Sequence, residues 1–259
     1  MMATRLPTVE SSKTTTNSCS GALAGGGKVS ASRERKRLPK WFKTSLPIGK
    51  SQSVYNSTMA SVKENDLNTV CVEARCPNIH DCWGRGTATF MIAGDVCTRG
   101  CRFCAVNTAK IPPPLNPDEP EDLATAIENM GINHAVITVV NRDDLSDGGA
   151  SHYRRCIMAV HDRCPDVGIE LLCSDLDGNL ESLKLLLNGL PIRVFAHNVE
   201  CVPRLDKIVR DRRASFKQSL EILSEAKALR PDLKTKTSIM VGIGAVSYTH
   251  LRAHETVTY

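Results

Sequence analysis

The chain has 259 residues, 41% of them hydrophobic, and a net charge of +5 that is unevenly spread. Residues 1–38 hold seven Lys or Arg against Glu10 and Glu34, while the 26 basic and 26 acidic residues that remain cancel. A neutral body argues against nucleic acid as the main partner, and no apolar run approaches the ~18 residues of a membrane span.

The first 32 residues contain eleven Ser or Thr, three basic residues and a single acid, with a Gly-rich stretch at 24–27. Such a composition cannot bury a core and predicts a disordered leader over 1–38. Being Ser/Thr-rich and acid-poor, it reads as an organelle transit peptide, mitochondrial or plastid, the alternative being a tail with no address. Residues 39–86 form an N-terminal extension: a Pro-punctuated arm, a short polar helix around Ser57–Leu67, and the triplet Cys71-x4-Cys76-x5-Cys82.

A short β-prone apolar run follows at 87–93, and Gly94-Asp95 turns the chain into a second triplet, Cys97-x3-Cys101-x2-Cys104. These cysteines therefore sit in a loop at the C-terminal end of a strand, where α/β barrels build their sites. A structural zinc site takes four ligands, usually from C-x2-C hooks, and neither triplet has that form, although a nearby His80 could complete one. A [4Fe–4S] cluster has four irons, so three thiolates leave one iron open. Both triplets fit that arithmetic.

From Thr87 onward the pattern alternates strands at 87–93, 135–140, 168–173, 192–196 and 235–241 with helices at 118–130, 149–163, 178–188 and 214–229. Asp118 or Pro120 can open the first of these helices and Gly131 can close it. Five βα repeats predict an α/β fold, a partial (β/α) barrel over 87–244. Cys19, Cys156, Cys164, Cys173 and Cys201 show no ligand spacing and read as free thiols. His197 closes a predicted strand and is a candidate functional histidine, whereas His134, His152 and His161 read as structural.

The segment from Val70 to Val106, with its two cysteine spacings and Phe103 before the last cysteine, resembles radical S-adenosylmethionine enzymes and, within them, the lipoyl synthase family. The resemblance continues through 111–124, 141–153, 195–205 and 234–244 and covers roughly residues 39 to 244. It implies that Cys97, Cys101 and Cys104 ligate a [4Fe–4S] cluster whose open iron binds S-adenosyl-L-methionine, giving a 5′-deoxyadenosyl radical. It implies further that Cys71, Cys76 and Cys82 hold an auxiliary [4Fe–4S] cluster as the sulfur source. Two sulfurs would go to C6 and C8 of an octanoyl chain on a lipoyl-domain carrier protein, with a reductant such as ferredoxin. Arg99 and Arg102 beside the thiolates could favour them by charge, or could form a solvated loop face.

Thr138, Asn141, Arg142 and Asp143 after the second strand, and Asn198 and Glu200 after the fourth, are candidate cofactor contacts; each could equally be a cap or an ion-pair residue. The chain departs from the family at Val139, Asn141, Leu176-Asp177 and Ala196, where Ser, Asp, Phe-Arg and Asn are common, which puts those contacts in doubt. The family also has a sixth strand and a C-terminal serine that ligates the auxiliary cluster. Residues 245–259 bear no such likeness and read as a non-native tail after a truncation, with a divergent C-terminus as the alternative. The competing functions are a biotin-synthase-like sulfur inserter and a truncated, inactive iron–sulfur pseudoenzyme.

Overall fold

A computed structural model describes residues 48–64, 69–73, 76 and 78–245. All of these belong to the compact unit Lys43–Tyr259. The leader, the arm before residue 48 and the segment after Ala245 lie outside the described residues.

Three helices come first: α1 (Lys50–Glu64), α2 (Val70–Glu73) and α3 (Ile79–Gly84). Helix α1 begins seven residues earlier than the polar pattern around Ser57 suggests, just after Gly49 turns with φ 61. The Tyr55 ring on α1 packs against His80 and Trp83 of α3, at centroid distances of 4.7 and 6.0 Å. Wholly buried Trp83 thereby fixes the segment that carries Cys82.

The main sheet comprises β1 (Thr87–Ile92), β4 (His134–Val139), β5 (Gly168–Leu172), β6 (Val194–Ala196) and β7 (Lys234–Lys236), and β2 (Val96–Cys97) pairs separately with β3 (Asn107–Thr108). Every pairing is parallel and the main sheet runs in chain order, β1-β4-β5-β6-β7. Helices α4 (Glu119–Met130), α5 (Ala150–Arg163), α6 (Leu180–Leu187), α7 (Asp206–Val209) and α8 (Phe216–Leu229) link the strands. This is the βα repeat of a partial barrel.

The core forms where the outward faces of the strands meet the apolar stripes of the helices. Ile137, Ile169, Leu171 and Phe195 come from the sheet, and Ile127, Ile157, Val160, Leu183 and Ile222 from the helices. Gly131 closes α4 in the left-handed conformation at φ 57, as the sequence suggests. At the start of α5, Gly149 takes φ 91, and an added Cβ there would lie 2.7 Å from the buried Tyr153 ring. The Tyr153 hydroxyl sits 2.9 Å from the carbonyls of both Val140 and Gly148, tying the end of β4 to the head of α5.

The predicted fifth strand, 235–241, is shorter than its pattern. Ladder pairing stops at Lys236 because β6 itself ends at Ala196, and an isolated bridge resumes it at Glu200↔Ile239. Glu200, where pairing resumes, takes φ 63 in the left-handed region. The edge strand is the exposed Lys-Thr-Lys triplet, polar rather than apolar, with Lys236 ion-paired to Glu170 at 2.7 Å.

Candidate active site

At the C-terminal ends of β1, β4, β5 and β6 lies a cavity of about 290 Å³. Cys97, Cys101 and Cys104 stand in its wall with Thr138, Asn141, Asn198 and Glu200. Cys97 is not in an open loop: it ends β2 and is buried, while Cys101 is half-buried and Cys104 exposed.

Peptide N–H groups converge on two of these sulfurs. Cys97 Sγ accepts from Arg99 N at 3.4 Å and Asn141 N at 3.3 Å, and Cys101 Sγ accepts from Asp211 N at 3.3 Å. Burial pushes the Cys101 thiol up, and the Asp211 N–H and the nearby Arg210 charge pull it back. Such donors favour a thiolate, the form that binds metal. Three sulfurs at one cavity mouth, two of them met by N–H donors, fit the three-thiolate ligation of a [4Fe–4S] cluster.

The loop that carries the sulfurs is anchored to three strand ends. Thr98 N donates to Asn141 O at 3.0 Å, and its Oγ1 donates to Asp143 Oδ2 at 2.6 Å while lying 3.0 Å from Asn141 O. Arg99 is buried, not solvated, and reaches Asp175 at 2.7 Å, Asp143 at 2.8 Å and Asp177 at 3.1 Å. Gly100 N donates to Asp211 Oδ2 at 3.1 Å, and Arg102 N to Val209 O at 2.9 Å. Arg213 closes the set against Asp143 and Asp211, both at 3.0 Å. Burial opposes ionisation of Asp143 and Asp211, yet hydrogen bonds from Arg99 and Thr98 to the one, and from Arg213 and peptide N–H groups to the other, hold both below the usual carboxylate range.

Two of the candidate contacts do not line the cavity. Arg142 is committed to Asp144 at 2.8 Å and to the Ala93 carbonyl at 3.3 Å. Asp143 is spent on Thr98, Arg99 and Arg213, so for both residues the ion-pair reading describes the geometry. Glu200 does face the cavity, and burial raises its carboxyl above the usual range against the Asn198 hydrogen bond. His197 lines the wall as part of a relay: Arg210 Nη2 donates to Ser219 Oγ at 3.0 Å, and Ser219 lies 2.9 Å from His197 Nε2. Its Nδ1 donates to the Cys173 carbonyl at 2.8 Å, and burial pushes its pKa down, so the ring is a neutral brace between β5 and β6. Arg99, Asp175 and Arg210 line the cavity as well. The motif Cys97–Arg99–Cys101 and acidic residues at strand ends are the only sequence signals that could have paired them.

The first triplet gathers beside this cavity. Val70, next to Cys71, lines the wall, and Cys76 N donates to Cys71 O at 3.1 Å. Cys82 lies close enough to Cys71 and Cys76 for their charges to act on it, though burial is the main cause of its raised pKa.

Residues 91–254 match the profile of the radical SAM superfamily, and residues 10–76 match the N-terminal domain of lipoyl synthase of that family. The mitochondrial lipoyl synthase of Rattus norvegicus is 50% identical over 217 residues, covering 82% of this chain and 57% of that protein. That of Drosophila melanogaster is 49% identical over 216 residues, covering 82% and 56%. The chain thus spans somewhat over half the length of these curated relatives. Methylornithine synthase, a solved structure, superposes with a TM-score of 0.50 at 14% identity, over 81% of this chain and 58% of that one, and bears on the fold alone. With more than half of its length matched, the chain belongs to the radical SAM superfamily, and within that superfamily it is similar to lipoyl synthases.

Proposed function

We propose that this chain inserts two sulfur atoms into an octanoyl group carried on a lipoyl-domain protein, at C6 and C8, as a lipoyl synthase. The observation that carries the reading is the cavity at the strand C-termini with Cys97, Cys101 and Cys104 in its wall and the first triplet starting at its edge. Cys97, Cys101 and Cys104 would hold a [4Fe–4S] cluster that binds S-adenosylmethionine, and Cys71, Cys76 and Cys82 a second one. When bound, these groups supply one-electron cleavage for hydrogen abstraction and the sulfur itself.

The protein's own residues bind, orient and exclude water. Peptide N–H groups of Arg99, Asn141 and Asp211 steady the sulfurs. Thr138, Asn141, Asn198 and Glu200 offer polar atoms to the cofactor's amino acid and ribose. Met91, Phe103, Val106, Val139 and Leu172 supply an apolar wall suited to an alkyl chain. A ferredoxin-type reductant would deliver the electron. The relatives' names favour a mitochondrial address, with the composition of residues 1–38 as support.

The test is anaerobic reconstitution with iron and sulfide, followed by assay of deoxyadenosine and of lipoyl product on an octanoylated carrier domain. Changing Cys97, Cys101 and Cys104 together to Ala should abolish deoxyadenosine, and changing Cys71, Cys76 and Cys82 should abolish lipoyl product alone. Undiminished cleavage in the first variant overturns the assignment.

A further inference from the structure

The cysteine loop leaves β1 through Ala93 and Gly94, and that turn has a fastening of its own. Ala93 takes φ 70, a region a non-glycine residue seldom adopts, and Gly94 follows at φ 89. Both N–H groups donate to one carboxylate: Ala93 N to Glu119 Oε2 at 2.9 Å, and Gly94 N to Oε1 at 3.3 Å. Glu119 is the first residue of α4, and its Oε2 is met in turn by Nε2 of His152 on α5. On the other side of that ring Arg155 Nη2 lies 3.0 Å from Nδ1. A guanidinium can only donate, so Nδ1 accepts, and Nε2 carries the proton that goes to Glu119.

Glu119, His152 and Cys156 bring three ligand atoms within 4.8 Å of one another, the outline of a metal site. The hydrogen bonds oppose that reading. Nε2 is protonated, each carboxylate oxygen already holds a peptide N–H, and the Arg155 charge lies against the ring. The Cys156 thiol, pushed up to about 12 by burial and by the Glu119 charge, keeps its proton too. Glu119 itself resists burial through the bonds from His152, Ala93 and Gly94, which hold it below the usual carboxylate range.

We propose that Glu119 and His152 are positioning residues for the cysteine loop: His152 orients the Glu119 carboxylate, which holds the Ala93–Gly94 turn so that Cys97 arrives at the cavity mouth. This rests on the reading of Cys97, Cys101 and Cys104 as the cluster ligands. Neither residue lines the cavity, so the effect runs through the turn.

Amide hydrogen exchange of the full chain before reconstitution tests the fastening. Glu119→Gln preserves shape but puts an amide NH2 against a peptide N–H. Exchange across 93–101 should rise about tenfold in Glu119→Gln and in His152→Ala, and return toward the parent in His152→Gln, whose amide restores a donor. Amides of β5 should keep the parent's rates. Unchanged exchange at 93–101 in Glu119→Gln, or an equal rise in β5, overturns the proposal. Iron uptake separates it from the cluster reading. A parent that takes up no cluster while Glu119→Gln loosens 93–101 overturns the cluster reading and sustains the fastening. A parent that loads its cluster while exchange in Glu119→Gln stays unchanged does the reverse.

Discussion

Arg99 Nη1 meets Asp175 Oδ2 at 2.7 Å, with side chains only 2% and 1% exposed. The pair joins the loop between two candidate cluster ligands to the end of β5. Asp143 and Asp177 complete a cage around the same guanidinium and keep it charged.

Removing that cation should be costly. Arg99→Ala leaves buried Asp175 without its partner, and the expected loss is about 3–5 kcal/mol of folding free energy. Urea denaturation of the two chains measures it. A loss under about 1 kcal/mol would show the cage to be solvated.

In the core, Ile137 on β4 is fully buried among strands and helices. Ile137→Ala should lower stability by about 2–5 kcal/mol, through lost burial and the cavity left behind. A denaturation midpoint matching the parent's would mean the site collapses around the deletion.

Gly149→Ala strains both backbone and packing, since φ is 91 and the new Cβ meets the Tyr153 ring at 2.7 Å. A loss of about 1–3 kcal/mol is expected. Pairing it with Tyr153→Phe in a double-mutant cycle should show coupling; strict additivity would place the strain elsewhere.

Thiol chemistry should follow burial. Cys104 is exposed, while Cys156 and Cys173 are buried, with thiols pushed up to about 12 by that burial. In the chain before any reconstitution, at neutral pH, an alkylating reagent should label Cys104 first and Cys156 and Cys173 last among the described cysteines, read by peptide mass spectrometry. Early labelling of Cys173 would contradict the packing of β5.

Acid should destabilise the protein through Glu119, Asp143 and Asp211. Each folded-state pKa is depressed, so the stabilisation is complete above the ordinary values of 4.5 and 3.8 and is lost as pH falls through the lower folded values. The urea midpoint should hold steady from pH 7 to about 5 and drop below about 4. In Glu119→Gln that drop should be shallower. A decline confined to alkaline pH would contradict it.

Strands such as Thr87–Ile92 were legible because their β-prone residues alternate between half-buried and buried positions, a period-two pattern that sequence records. Strand β7 was misread in length because its ladder ends where its partner β6 ends, at Ala196, forty residues earlier than Lys236, which no local pattern records. The cysteine spacings singled out Cys97, Cys101 and Cys104, which the fold brings to one cavity, because a short local spacing keeps such residues together whatever the rest of the chain does. Arg142 and Asp143 were ambiguous for the opposite reason. A polar residue at a strand end looks the same whether it faces a ligand or an ion-pair partner, and for Arg99 neither open reading, thiolate partner or solvated face, could foresee its ion pair with Asp175.

The order in which the chain is made gives the anchored loop a temporal meaning. Each strand of the main sheet pairs with the strand just before it, so the sheet can grow step by step. The bonds on the cysteine loop reach further: 44 residues to Asp143, 76 to Asp175 and 110 to Asp211. Emerging early from the ribosome, Cys97 and Cys101 must therefore wait for the end of β5 and the segment after α7 before their surroundings exist. Through that interval they are bare thiols on a half-built sheet, open to oxidation or to stray metal. On the proposed ligation, cluster delivery is thus best matched to a late step of folding, after residue 211 has docked.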